Sequence, residues 1–352
     1  MEENNNKIPS ALTISVVFIA IVMLFAVLKL LADIFIPLVI AYFIFFAFSP
    51  MHKFFTKKGV PLFVIILLDI LIVLLVTGGI STLLIDSFSQ LGNQLPQYEK
   101  KLDSLVRTTA SSIGLRDPQL KDFSIRKMIM GLDYKLLAGS LFSSTFSFLG
   151  SLFLVLFFYI FVVTGHSKIF KAFQKRFMQN PGEKKNSSVH DTFNEITDQV
   201  QKYVTTKFLI SLFTGIIEGG IVWMFGVDFA LIWGVLIFLF NFVPNIGSII
   251  GIVFPVTIAL VQFESVGYAA VLLLVLIVVD TIIGNYLEPK IFGDRLGLNP
   301  LVVLLALLLW SYIWGITGAL LSVPLTSVLK ITISRSDSRN MKLLNNLMSS
   351  EV

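Results

Sequence analysis

The chain has 352 residues, is 55% hydrophobic and only 14% charged, and has a mean hydropathy of +0.86, whereas an ordinary soluble domain is about a quarter charged. So few charges cannot coat a water-soluble protein of this size, and 33 Phe among long Ile, Leu and Val runs would leave a large apolar surface in water, so the bilayer is the solvent. The absence of cysteine excludes disulfides, thiolate metal sites, cysteine nucleophiles and redox chemistry of the chain itself. The formal net charge of +5 lies mostly in loops and flanks and reads as orientation information and attraction to anionic lipid, not nucleic-acid binding.

In chain order, residues 1–10 form a disordered tail. The run Ala11 to Leu31 lacks the short core and small-residue cleavage site of a removable signal and is long enough to cross a hydrocarbon core of roughly 30 Å. Asp33 and Pro37 interrupt it before a second span that ends near Ser49, and the basic loop His52, Lys53, Lys57 and Lys58 is expected on the cytoplasmic side. A third span runs from about Leu62 to Leu84. The polar stretch 86–140 follows, with helical stripes at Leu91, Leu95, Tyr98, Leu102 and Leu105 and at Ile125, Met128, Ile129, Leu132 and Leu136. It is expected to be an outer helical arm that covers these stripes on the membrane surface or on a neighbouring subunit.

The fourth span, 141–164, returns to a basic segment, 165–204. There Phe170, Phe173 and Phe177 oppose Lys168, Lys171 and Lys175 as in an interfacial anchor, and a second amphipathic helix carries Val189, Phe193, Ile196 and Val200. A fifth span runs from about Thr205 to Phe225.

Beyond it lie two apolar stretches too long for simple crossings. Phe229 to Gln262 is 34 residues, roughly 51 Å as straight helix, and Pro300 to Leu329 is 30 residues, roughly 45 Å. The first holds Pro244, Gly247, Gly251 and Pro255 and the second Gly315, Gly318 and Pro324, which predicts broken or re-entrant helices. A weak echo pairs Gly226, Leu231 and Pro255 with Gly297, Leu301 and Pro324, and paired interrupted segments in a transporter-sized chain point to a binding site at their junction. A conventional span, Val266 to Gly284, separates them. The expected organisation is therefore 1–10 tail, 11–85 three spans, 86–140 arm, 141–164 fourth span, 165–204 basic amphipathic helices, 205–330 transport core and 331–352 cytoplasmic tail.

Four motifs in order carry a family resemblance: GVDFALIWG (Gly226 to Gly234), NFVPNIGSIIGIVFP (Asn241 to Pro255), NYLEPKIFGDRLGLNPLVVLL (Asn285 to Leu305) and WGITGALLSVPL (Trp314 to Leu325). Across nearly its full length the chain resembles the autoinducer-2 exporter family of permeases. The resemblance implies an all-α integral membrane protein of about eight spans in a bacterial inner membrane. It also implies a homo-oligomer, a pentamer among the forms, that exports a quorum-sensing signal or exchanges cations for protons.

The residues themselves place no enzyme. No GxxxxGK[ST] loop occurs, and His52, His166 and His190 fall in separate segments without metal-ligand spacing, so they read as loop residues and no cofactor or metal is expected. Intramembrane carboxylates are better candidates, because burying an uncompensated charge is costly unless it faces a cavity or partner. Glu218 and Asp280 stand out, with an ion pair or an interfacial position as the plain alternative, while Asp69 lies nearer a span end. Asn241, Pro244, Asn245, Gly247, Ser248 and Gly251 mark the preferred substrate region, with Asn285 beyond it, because a broken helix frees backbone groups for a polar ligand. A plain kink is the competing reading there. Glu288 and Lys290 are read as a salt-bridged gate near the entrance, with Arg295 and Gly318 alongside, and an ordinary solvated loop pair is the equal alternative.

Three functions stay open: a gradient-driven exporter of a small polar solute such as autoinducer-2, a sodium or lithium/proton antiporter, and a non-transporting scaffold or signalling subunit. Its expected partners are the bilayer, a small molecule or cation, and other copies of itself.

Overall fold

A computed structural model describes residues 10–112, 149–165, 184–243, 246–292, 298–334 and 339–349. They form an all-α protein in which α1 (Ser10–Leu30) and α2 (Ala32–Lys57) are joined at Leu31, and α3 (Leu62–Ser112) follows a short turn. Next come α4 (Leu149–Gly165), α5 (Lys184–Met224), α6 (Ala230–Phe240), α7 (Ile246–Phe263) and α8 (Val266–Thr281). A π-helix, Ile282–Leu287, continues α8 into α9 (Glu288–Phe292), and α10 (Pro300–Ser334) and α11 (Arg339–Met348) complete the chain.

Segments of α2, α3, α5, α8–α9 and α10 are long and apolar enough to cross a membrane. Large apolar side chains point outward along them, Phe63, Trp223 and Leu301 among them, as does Phe153 on α4. That surface would aggregate in water and is what lipid requires.

Both overlong stretches fold as helical hairpins. In the first, α6 and α7 run antiparallel: Trp233 stacks on Phe254 with centroids 6.1 Å apart, and Gln262 bonds back to the Gly226 carbonyl at 2.9 Å. The turn falls at 241–245, where Pro244 and Asn245 lie outside the described residues. The second hairpin lies inside α10, which reverses at Trp314 (φ −125°, ψ 16°) and Gly315 (φ 61°, ψ −141°). The Gly315 conformation is one that a side chain forbids. Trp310 Nε1 then donates to Thr326 Oγ1 across the fold at 3.2 Å. The echoed positions fall at matching places, Leu231 and Leu301 opening the first arms and Pro255 and Pro324 lying within the second.

Proline breaks are answered by neighbours. Pro50 has no amide to offer the Phe46 carbonyl, and Thr205 Oγ1 of α5 donates to that oxygen at 2.8 Å. Beside it, Gln201 Nε2 donates to Ser49 Oγ at 2.5 Å, so α2 and α5 are joined by polar ties near one end.

Two pairs of expected elements are continuous. The apolar segment of membrane-crossing length, Leu62–Ser87, ends close to the expected Leu84, and α3 continues unbroken past it, 51 residues or roughly 76 Å in all, into the arm. The arm is tied to this chain at the two ends of α6–α7, where Tyr98, Lys101 and Ser104 bond to Asp228, the Gln262 carbonyl and Glu264. Likewise the second amphipathic helix and the fifth span are one helix, α5, and Val200 packs with Phe46, Tyr203, Val204 and Val323. The stripes at Ile125 to Leu136 and at Phe170 to Phe177 lie outside the described residues.

Candidate functional site

A buried polar stripe runs along α5. Lys207, Ser211, Thr214 and Glu218 stand at i, i+4, i+7 and i+11, on one helix face, and each is at most 5% exposed. The stripe is about 16 Å long, half a hydrocarbon core. The opposite face shows Leu209, Phe213 and Ile216 to the outside, as a lipid-facing surface should.

Each polar group meets a different element. Lys207 Nζ donates to Glu288 Oε1 of α9 at 2.7 Å. Asn241 Nδ2, at the turn of the first hairpin, donates to Ser211 Oγ at 3.1 Å. Thr214 Oγ1 donates to the Ile210 carbonyl one turn back at 2.9 Å. Glu218 Oε1 is buried without a hydrogen-bond partner among the described residues, and the Asp280 carboxylate of α8 is within electrostatic reach of Glu218. An unpartnered buried carboxylate oxygen is costly and calls for a ligand, a proton or water.

The π-helix explains how Asp280 and Glu288 both address α5. Eight residues apart on a straight α-helix, they would be offset by about 80°. The wider i→i+5 turn of Ile282–Leu287 takes up extra residues and returns Glu288 to the face that carries Asp280.

Glycines bring the first hairpin onto the stripe. A Cβ on Gly219 would stand 2.7 Å from Gly234 Cα, and one on Gly215 would stand 2.7 Å from the Gly234 carbonyl oxygen, so α5 and α6 meet backbone to backbone. Within the hairpin, a Cβ on Gly247 would overlap the Phe240 carbonyl, and one on Gly251 would press on Ile237 Cγ1 at 3.1 Å.

The expected site residues therefore separate. Asn241, Glu218 and Asp280 gather on the stripe, while Gly247 and Gly251 close the hairpin behind it and Ser248 is half-buried in the first turn of α7. Asn285 is exposed on the π-helix. The expected Glu288 to Lys290 gate is not formed: residues two apart on a helix do not face each other, so Glu288 turns to Lys207 and Lys290 is exposed. Gly318 has Trp310 and Trp314 as nearest neighbours at the bend of α10, apart from any such gate, and Arg295 lies outside the described residues. Lys207, Ser211 and Thr214 were not anticipated, although their spacing to Glu218 is a helical period visible in the sequence.

A second buried cluster corrects the reading of His52 as a loop residue and gives Asp69 two partners. His52 is on α2, and its Nε2 donates to Asp69 Oδ2 of α3 at 2.6 Å; Tyr159 OH of α4 donates to the same oxygen at 2.5 Å. Asp69 and Tyr159 are fully buried, and Asp69 Oδ1 has no partner among the described residues. Side chains of His166 and His190 lie outside the described set.

At the far end, the arm meets the core through Tyr98 OH donating to Asp228 Oδ2 at 2.5 Å, Lys101 Nζ to the Gln262 carbonyl at 2.5 Å, and Ser104 Oγ to Glu264 Oε2 at 2.7 Å. Partial burial, and then the Asp228 carboxylate, push the Tyr98 phenol well above the ordinary tyrosine value, so it remains a neutral donor.

Comparison with known proteins identifies the family. The model of the AI-2E family transporter matches residues 18–337. YhhT of Escherichia coli strain K12 is 31% identical over 89% of this chain and 87% of its own length. The AI-2 transport protein TqsA of the same strain is 29% identical over 88% of each chain. YueF of Bacillus subtilis strain 168 is 25% identical over 85% of this chain and 83% of its own length. With apolar helices of membrane-crossing length and this match over nearly the whole chain, the protein is a multi-pass membrane protein that belongs to the AI-2E family of transporters.

Proposed function

We propose that the chain is a gradient-driven exporter of a small polar solute and that the Lys207 to Glu218 stripe, faced by Asn241, Asp280 and Glu288, lines its path. The observation that carries this reading is the Glu218 carboxylate, buried with one oxygen unpartnered on a polar stripe inside the membrane. Intramembrane carboxylates in such settings mark ion and substrate pathways. The two hairpins support it, since polar groups at the turn of a broken helix are where transporters hold ligands. No phosphate-binding loop is present in the sequence, so a gradient supplies the energy.

Autoinducer-2 is the first solute to test, because TqsA, 29% identical, is named for its transport. The Glu218 and Asp280 carboxylates also favour a second reading, exchange of sodium or lithium for protons, since two acidic groups in one apolar setting offer oxygen ligands and a proton acceptor. On either reading the protein sits in a bacterial inner membrane with both termini cytoplasmic and assembles as a homo-oligomer, the basic His52 to Lys58 segment lying inside.

The test is solute movement in sealed proteoliposomes under an imposed pH gradient, with autoinducer-2, sodium and lithium measured separately. Movement of one above protein-free vesicles supports the proposal and selects the solute. If none moves with verified, oriented protein, a scaffold or signalling role takes precedence.

A further inference from the structure

The arm makes three polar contacts at the two ends of the first hairpin: with Asp228 in the loop before α6, with the Gln262 carbonyl in the last turn of α7, and with Glu264 just after it. Those two ends are themselves tied together: Gln262 Oε1, at the end of α7, accepts from the Asp228 amide at 2.8 Å while Gln262 Nε2 donates to the Gly226 carbonyl. Both ends also hold left-handed backbone, φ 65° at Gly226, 63° at Phe229 and 50° at Glu264. For the non-glycine residues that conformation is uncommon and persists where surroundings over-determine it. Thus one rigid helix, which begins in the N-terminal bundle, grips the entrance and exit of the hairpin whose turn reaches Ser211.

We infer that the arm is a latch: the Tyr98–Asp228, Lys101–Gln262 and Ser104–Glu264 contacts hold the first hairpin closed over the polar stripe and break when the path opens to the arm side. This inference rests on the transport reading above. The chemistry of the contacts fits a latch. Each pairs a donor with a charged or strongly polar group, which fixes geometry, yet the site is partly open to water, so water replaces each bond at a small net cost. The contrast with Lys207–Glu288, whose side chains are 6% and 24% exposed, is physical: that tie is sheltered, while the latch is wet.

A chain free of native cysteine makes the test clean. Cysteines replace Ser104 and Glu264 and are joined by a short, reducible bis-methanethiosulfonate bridge, because a glutamate's reach separates the two backbones by more than a direct disulfide spans. Bridging should lower solute flux at least tenfold and reductant should restore it, with each single variant unaffected by the reagent. Undiminished flux through the bridged protein would overturn the latch.

Spin labels at Lys100→Cys and Gly267→Cys give a readout that needs no transport. A latch predicts a short and a longer distance population, with Tyr98→Phe enriching the longer one. A single short population, unchanged by Tyr98→Phe, also overturns it. If unbridged protein moves no solute, the transport reading fails, and the distance distributions still decide whether the arm opens.

Discussion

Lys207 and Glu288 meet at 2.7 Å across 81 residues of sequence, joining the start of the buried stripe on α5 to the helix that follows the π-helix. Among the described residues neither forms an ion pair with a sequence neighbour, and the pair exists because α8, the π-helix and α9 bring Glu288 onto α5.

Breaking one member of such a pair strands the other. Lys207→Met should destabilise the detergent-solubilised protein by about 3 kcal/mol, at the low end for a buried pair because Glu288 keeps some solvent contact. The reversal Lys207→Glu with Glu288→Lys should regain most of the melting temperature. A reversal no better than the single variant shows that the pair adds no stability.

Close packing of α5 on α6 sets a sharp contrast between adjacent glycines. Gly219→Ala forces a Cβ onto Gly234 Cα and should cost about 1 to 3 kcal/mol, and Gly219→Val more. Gly220 has nothing within 4 Å of its would-be Cβ, so Gly220→Ala should leave the melt unchanged or slightly raised. Equal effects at both positions would contradict the backbone contact.

Thr205 satisfies a carbonyl that Pro50 leaves free. Thr205→Val should cost about 1 kcal/mol. In a Pro50→Ala background the new amide at position 50 pairs with the Phe46 carbonyl, and the penalty should shrink. A double-mutant cycle on thermal unfolding measures that coupling.

In the N-terminal bundle, Tyr159→Phe removes one of two donors from a fully buried carboxylate that already has one unpartnered oxygen. The expected loss is about 1 to 3 kcal/mol. Thr164→Val, at an exposed position of the same helix, is the control and should change the melt far less.

Composition and run lengths made much of this fold legible. The excess length of Phe229 to Gln262 and of Pro300 to Leu329 correctly signalled interrupted helices, because bilayer thickness bounds a single crossing. The sites of the breaks were legible too, since Gly247 and Gly315 occupy positions where a side chain would clash or the backbone demands glycine.

What stayed hidden was pairing across sequence. Glu288 was matched to Lys290 because both are close in the chain, whereas the real partner depends on a π-turn that leaves no compositional mark. His52 looked like a loop residue because lysines surround it, yet α2 continues past Pro50 and places it over Asp69. The polar stripe was visible as a helical period but was masked by the high hydropathy of the residues between its members.

Cysteine accessibility along α5 tests the central claim most directly. Single cysteines at Lys207, Ser211, Thr214 and Glu218 line the proposed path, and those at Leu209, Phe213 and Ile216 face lipid. Under transport conditions a membrane-impermeant, water-soluble thiol reagent should modify the first set, with solute slowing the reaction, and spare the second. Reaction confined to the lipid-facing set, or no reaction at any stripe position while the reagent labels a loop control, would contradict a solute path along this helix.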